Sequence, residues 1–523
     1  MVKPTGDSAT TNDGDGVLAL HRRLLQLLDS SPADAIESAR ALSTGNDDLR
    51  SLRAAILCDA GQLTGDREAV DEAVGIYTEL LQAYPDDYLL SYNLANALTA
   101  SAQLDGPLDD KAWYLRTSDI RRRSRSLNWK AAIEFEQDDR RQASQALTNL
   151  ANALDTAHRW IEAFDNYMHA KWLFPENGVA SGNAARVLFR VSSRTVFGHE
   201  NHMQDVALRL AHHCKENIDV VRVIAGDRAA ESFQRLPSTP NTLESVVDDR
   251  DISEYEEFVA KHRLFLAPIL EGPGHAPQRW DDAHILSVIQ PIEEASRVPP
   301  VFAMFNVLKA DYLVARDLLF QAFVKRPLES GLYMDTLDYA LYGQTPSRLV
   351  LAQRAALDLL DKVAVAINEH FRLGHNPRQV TFRSIWSDKK SANVWGPRLK
   401  ELIDRGNPAL IALSEIASDI AVATVDGEDG ILQEEREARH AGTHRFTVLH
   451  DMGLGHSIPS AAIQPYDLHE YKKLTLRTTR LARAALLHFL EAIFYETQAK
   501  VREGVEVAPM TVRTHHYIRG DDS

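Results

Sequence analysis

Long apolar runs are missing from this sequence. Nothing approaches the roughly 18–20 uninterrupted apolar residues of a membrane span, so no membrane partner is expected. Cysteine is nearly absent as well: Cys58 and Cys214 are the only two, far apart and each in a helical context. A reducing, cytoplasmic compartment is the simplest account. The stretch from Met1 to Gly16 has no apolar segment of signal-peptide type; it is rich in Gly, Asp and Thr and reads as a disordered tail. Alternating β-branched runs bounded by turns are scarce. No G-x4-G-K-[ST] and no G-x-G-x-x-G precedes a helical pattern, so no cofactor is expected. An excess of positive charge is also lacking. The net charge of −16 argues against non-specific coating of nucleic acid and leaves room for a small, locally basic RNA site.

What is present is helical periodicity over most of 523 residues, with 44% hydrophobic and 25% charged residues, the balance of an ordinary globular chain. That length predicts two to four structural units. The stretch Ala54–Pro85 reads as a helix–turn–helix unit, and Ser144–Pro175 as a second. Counted from the two starts, Gly61 matches Ala151, Ala73 matches Ala163, Tyr77 matches Tyr167 and Pro85 matches Pro175. This is the spacing of a TPR-like repeat of about 34 residues. Small residues let paired helices cross closely, an aromatic fills the gap, and proline ends the second helix. The fragment N-L-A-N-A-L occurs at Asn93–Leu98 and Asn149–Leu154, out of register with that pairing. A helical-repeat arm is expected over 17–200.

Within it, Gly106–Arg141 breaks the period and carries Arg121, Arg122, Arg123 and Arg125. A solvated helix face or a partner for acidic surface is the plain reading of that cluster; an RNA-backbone contact is the sharper one. Residues 236–300 are richer in Pro, Gly and Asp and read as loops around short helices, within a connecting region over 201–335. Helices are then expected at Asp311–Phe323, Ser347–Arg372, Gly396–Ala421, Gly430–His450 and Leu468–Arg502. Apolar stripes on the long ones imply an antiparallel bundle over 336–505, followed by a tail over 506–523. The fold class is all-α.

The helix expected after Gly430 contains Arg439-His440-Ala441-Gly442-Thr443-His444. An arginine, four residues and a histidine resemble the R-x4–6-H signature of HEPN domains. Further stretches resemble a HEPN branch that follows TPR-like repeats: Tyr255–Leu270, Pro299–Phe323, Thr336–Gly343, Leu359–Phe371 and Phe382–Ser387. Where the family usually has asparagine after the arginine, this chain has His440.

The resemblance implies a metal-independent endoribonuclease. RNA supplies its own nucleophile, the 2′-hydroxyl, so cleavage needs a base near that proton and a cation near the phosphate. Histidine, with an ordinary pKa of about 6.5, exchanges a proton at neutral pH. Arginine stays charged and can hold two phosphate oxygens. By resemblance His444 is the acid–base residue and Arg439 the phosphate clamp, with RNA, for example tRNA, as substrate in a toxin or defence role. Along one helix the pair would stand about 140° apart, and HEPN families resolve this by dimerising, so a homodimer through the bundle is expected. The plain reading of Arg439 and His444 is that they cap or pair on the bundle surface with Glu435 and Glu437. The competing function is a non-catalytic TPR-like scaffold whose HEPN bundle only dimerises or binds RNA.

Arg436 and Arg445 are expected to support the site along with His440, and Lys473, Arg477 and Arg480 are candidate RNA-backbone contacts at helical spacing. Asp361, Asn368 and Glu369 are candidate polar assistants on an earlier helix. Glu437, His440 and His444 have a spacing that would suit zinc, but no further ligand pair with metal-site spacing is nearby, although His450 and His456 follow, and no metal is expected. His199, His202, His212, His213 and Cys214 match no standard finger and read as capping or surface residues. Trp386 and Trp395 read as core. The acidic arm suits a protein or peptide ligand better than RNA.

Overall fold

The computed structural model describes residues 13–42, 45–106, 110–194, 199–240, 253–271, 281–290, 297–324, 331–388, 391–420, 431–432, 434, 437–438, 445–454 and 460–504. Two compact units emerge from its contacts. The first comprises Met1–Val187, Leu208–Asn241 and Ser418–Gln433; the second comprises Leu188–Ala207, Thr242–Ala417 and Glu434–Ser523. Among the described residues no helix is long and apolar enough to cross a membrane.

The first unit is a series of helices: α1 (Asp13–Ser30), α2 (Pro32–Arg40), α3 (Asp47–Thr64), α4 (Arg67–Ala83), α5 (Tyr88–Leu104), α6 (Trp113–Arg116), α7 (Ser118–Asp138), α8 (Arg140–Thr156) and α9 (Trp160–Leu173). Then come α10 (Gly178–Ser192), α11 (Glu200–Glu216) and α12 (Ile218–Gln234), of which α10 and α11 are shared between the units. Helix is already present at Asp13, inside the expected tail; residues 1–12 and 505–523 lie outside the described residues. Side-chain oxygens start the helices. Asn46 accepts from the Asp48 amide, Asp66 from Ala69, Asp87 from Leu89 and Leu90, and Asp139 from Arg141 and Gln142. Each supplies an acceptor for amide groups that a first turn leaves open.

Both expected hairpins are found, as α3 with α4 and α8 with α9. Ala73, Ala151 and Ala163 are fully buried, and Tyr77 and Tyr167 nearly so. Gly61 shows why the crossing demands a small residue: a Cβ there would lie 2.8 Å from Val70 Cγ2 and 3.1 Å from Ala69 Cβ. The intervening stretch is no interruption. There α5 pairs with α7, and the short α6 occupies the connection.

The arginine cluster is not a solvated face. As α7 is packed by both α5 and α8, Arg121, Arg122 and Arg125 are buried and Arg123 is half-buried. Arg121 donates to the Tyr114 carbonyl at 2.6 Å and lies over the Trp113 ring at 4.7 Å. Arg125 forks onto both carboxylate oxygens of Asp419, at 2.6 and 3.1 Å, and Arg159 pairs with the same carboxylate. Asp419 has no exposed surface. Its two cations balance one buried acid, with Glu162 beside Arg159 supplying a second negative charge.

The second unit contains α13 (Glu254–Lys261), α14 (Pro300–Phe323), β1 (Ala340–Leu341), α15 (Gln344–His370), β2 (Ser387–Asp388), β3 (Ser391–Trp395), α16 (Pro397–Asp404), α17 (Pro408–Asp419, its last two residues in the first unit), β4 (Phe446–His450), β5 (Ile463–Asp467) and α18 (Leu468–Arg502). Helices α14, α15 and α18 pack on one another. Phe258, Phe265, Phe320, Leu349, Tyr471 and Leu474 belong to their shared core. From Leu481 to Ile493 every residue of α18 is buried, as expected of a helix enclosed on all sides.

Three expectations need correction. The helix over Gly396–Ala421 is split, because Gly406 turns at φ +91° and Pro408 begins a new helix; between them Asn407 donates to the Ala492 carbonyl at 2.8 Å. The bundle also carries sheet: β4 lies between β1, antiparallel, and β5, parallel. Finally, part of the supposed linker is core. Leu264–Glu271 is buried without helix, and its carbonyls are met by side chains: Tyr312 and Arg316 donate to Leu264, and Arg483 to Phe265 and Ala267. Buried non-helical backbone requires such partners.

The acid at the centre of the first unit gives a direct test. Asp419→Ala leaves Arg125 and Arg159 buried with a missing partner, and a loss of about 3–5 kcal/mol in unfolding free energy is expected. Chemical denaturation of the full chain measures it; a loss below about 1 kcal/mol, the scale of an exposed pair, contradicts the burial argument.

Candidate active site

The segment expected to carry chemistry lies between α17 and β4. Of its residues Glu434 and Glu437 are helical and Ala438 is fully buried in the core of the second unit. Arg436, Arg439, His440 and His444 lie outside the described residues. Arg445 is exposed and donates to Gln464 Oε1 at 3.1 Å. At Phe446 the chain is strand, paired from Phe446↔Ile463 to His450↔Asp467 with β5 and through Ala340↔His450 with β1. The helix expected to continue to His450 therefore ends before Arg445. The local reason is F-T-V-L-H itself, in which Leu449 turns into the core while Phe446 stays exposed. His450 is buried, its Nδ1 donating to the Asp338 carbonyl at 3.0 Å.

The cations on α18 share a face as their spacing requires, and each has a partner. Lys473 is exposed and pairs with Glu470 at 2.9 Å; Arg477 pairs with Glu434 at 2.9 Å; Arg480 donates to the His262 carbonyl at 2.8 Å. The polar candidates on α15 are used in the fold. Asp361 accepts the Phe382 amide at 2.8 Å, and Asn368 both accepts from and donates to the His375 backbone at 3.0 Å. Glu369 is exposed and lines a cavity taken up below. Nearby, burial and then the charges of Glu437 and Glu434 push the Tyr466 hydroxyl up to about 12.

Trp386 and Trp395 are buried core residues. The dispersed histidines do not converge: His199 bonds Asp282 at 2.8 Å, His212 stands 3.4 Å from Glu216, and His213 bonds Ser181 at 2.9 Å. Among the described residues no group of His, Cys, Asp or Glu is arranged to hold a metal.

Motif reading missed a polar spine in the first unit. Asn149 donates to Tyr92 Oη at 3.0 Å and to Asn96 at 2.9 Å; Asn152 accepts from Tyr167 at 2.7 Å and from Asn183 at 2.9 Å. The spine thus links α5, α8, α9 and α10. Its sequence signal was the duplicated N-L-A-N-A-L, whose asparagines meet across α5 and α8 although the fragments are out of repeat register.

Residues 292–496 match the family model of LA2681-like HEPN domains. The match takes in the stretches Pro299–Phe323, Thr336–Gly343, Leu359–Phe371 and Phe382–Ser387 and the R-x4-H segment, and leaves Tyr255–Leu270 outside. No curated protein and no solved structure matches the chain.

Two half-buried histidines give the second unit a predictable acid response. Burial, then the positive charge of Arg480 and Lys261, lowers His262 to about 4; burial, then Lys500 and Arg372, lowers His370 to about 4. The unfolded chain binds those protons near pH 6.5, so the stability these groups confer is full above that pH. It falls as pH drops from about 6.5 towards 4. Thermal melts of the full chain should show Tm declining over that window and a shallower decline in His262→Gln. An equal slope in that variant contradicts the assignment.

Proposed function

We propose that the HEPN-like region, residues 292–496, which matches the LA2681-like HEPN family model, is a metal-independent endoribonuclease, a toxin or antiviral or stress-defence effector that cuts cellular RNA such as tRNA. HEPN domains are commonly ribonucleases. The observation that carries the reading is the position of Arg439 and His444: their R-x4-H segment falls inside the family-matched interval and adjoins the exposed cation Arg445.

In the proposed reaction His444 accepts the proton of a 2′-hydroxyl, whose oxygen attacks the adjacent phosphorus. Arg439 holds the non-bridging oxygens as charge builds on them. The bond from phosphorus to the 5′-oxygen breaks, that oxygen takes up a proton, and the products are a 2′,3′-cyclic phosphate and a 5′-hydroxyl. Two copies of the domain, paired through their bundles, bring the residues of both motifs to one cleft. His440, Arg436 and Arg445 add positive potential there. The TPR-like arm binds a protein or peptide that controls the domain. Its support is the spine of Asn96, Asn149, Asn152 and Asn183, since side-chain amides match the donor and acceptor of a peptide backbone.

A second reading, a TPR-like scaffold whose HEPN domain only dimerises or binds RNA, is favoured by His440 in place of the family's asparagine and by the existing partners of Lys473, Arg477 and Arg480. Incubating the purified protein with total RNA in EDTA separates the two. Cleavage is expected from wild type, with a loss of about 10²–10⁴-fold in His444→Ala, the range for a general acid–base residue, and a comparable loss in Arg439→Ala. Equal cleavage by wild type and both variants removes the catalytic assignment; no cleavage by wild type leaves the scaffold.

A further inference from the structure

The second unit holds a cavity of 590 Å³ whose lining is chemically mixed. Val288, Ile289, Pro299, Val301 and Met304 contribute apolar surface. Arg372, Arg398, Arg405 and Lys500 line it together with Glu369, Glu496 and Glu503. Four basic side chains thus share the lining with three carboxylates.

Glu496 is the centre of this arrangement, with only 4% of its surface exposed. Lys500 Nζ lies 3.5 Å from its carboxylate, Arg405 Nη1 3.7 Å and Arg398 Nη2 3.8 Å. A well-formed charged hydrogen bond is about 2.7–2.9 Å long, so three cations surround this acid without closing on it. Arg405 Nε is moreover buried with no hydrogen-bond partner. The outward bonds of the two arginines are made elsewhere, Arg405 to Glu503 at 2.6 Å and Arg398 to Glu401 at 2.7 Å. Lys500 also donates to the Ile289 carbonyl at 3.0 Å, which joins a charged lining residue to the Val288–Gln290 segment.

Arg372, Arg405 and Lys500 stand at the C-terminal ends of α15, α16 and α18, where helix dipoles favour positive charge, whereas Arg398 stands in the first turn of α16, where they do not. That explains the presence of the first three but not the stand-off from Glu496 or the orphaned Nε. The volume lies within the range of small-molecule sites, about 300–1,000 Å³.

We propose that this cavity binds a small organic anion, its carboxylate or phosphate head bridged by Arg398, Arg405 and Lys500 and its apolar body lying against the apolar lining residues, Val288, Ile289, Val301 and Met304 among them. Its lining residues do not include Arg439 or His444, and the proposal does not rest on the ribonuclease reading. Bound there, the ligand links the Val288–Gln290 segment and α14 to the ends of α15, α16 and α18.

Isothermal titration of the full chain tests it, with phenyl phosphate and phenylacetate as the organic anions and inorganic phosphate as the bare ion. One or both organic anions should bind at one site per chain, at least about tenfold (1.4 kcal/mol) tighter than inorganic phosphate. The better of the two identifies the head group. Arg398→Gln and Met304→Trp should each weaken that binding by at least about tenfold, the first by removing charge and the second by filling the cavity at an apolar lining residue. Circular dichroism checks both folds; should Arg398→Gln misfold, Met304→Trp decides, since it removes no charge. Failure of both organic anions to bind wild type, parity with inorganic phosphate, or undiminished binding to Met304→Trp overturns the proposal.

Discussion

A buried guanidinium must find acceptors, and in both units the backbone is arranged around that demand. Arg483, with no exposed surface, donates to the carbonyls of Phe265 and Ala267. Arg316 forks onto Asp281 at 2.7 and 2.8 Å and also reaches the Leu264 carbonyl. These bonds permit a non-helical stretch, Leu264–Glu271, to lie in the core of a helical domain, where unpaired carbonyls would otherwise be costly. In the first unit Arg125 and Arg159 impose the same condition and meet it through one acid, Asp419. The hydrophobic clusters supply the burial, and the arginines determine which segments are buried with them.

This division of labour bears on function. Arginine counts alone suggest several basic surfaces, yet Arg121, Arg122, Arg125, Arg316 and Arg483 are interior. Arg477 and Arg480 have partners within the second unit. The proposed RNA site in so acidic a chain would therefore be local, resting on the few cations in and beside the R-x4-H segment, of which Arg445 is exposed at the start of β4. Strand β4 in turn is held on both sides, by β1 and β5, and that pairing anchors the end of the segment to the domain core through Leu449.

Much of the architecture was legible because its signals are local. The offsets of Gly61, Ala73 and Tyr77 reflect what a close helix crossing requires, and the Cβ clash at Gly61 supplies the reason. The last helix spans Leu468–Arg502 as its periodicity indicated, with Asp467 capping its first turn. The sheet was not legible. Each strand is five residues or fewer, and the partners of Phe446–His450 are set by tertiary pairing with residues 340–341 and 463–467. Nor was the interior position of Arg125, since its acid lies 294 residues away. Spacing pointed to Arg439 and His444 through a family signature, whereas the cavity around Glu496 has no motif at all: its residues come from separate elements and meet only in the fold.

Metal-free attack by the RNA's own 2′-hydroxyl is the central functional claim, and the ends of the cut RNA test it most directly. An RNA oligonucleotide cleaved in EDTA should carry a 2′,3′-cyclic phosphate on one fragment and a 5′-hydroxyl on the other, and a 2′-deoxy substitution at the cleaved nucleotide should block the cut. Fragments ending in a 3′-hydroxyl and a 5′-phosphate, or unimpeded cleavage of the 2′-deoxy strand, would contradict it.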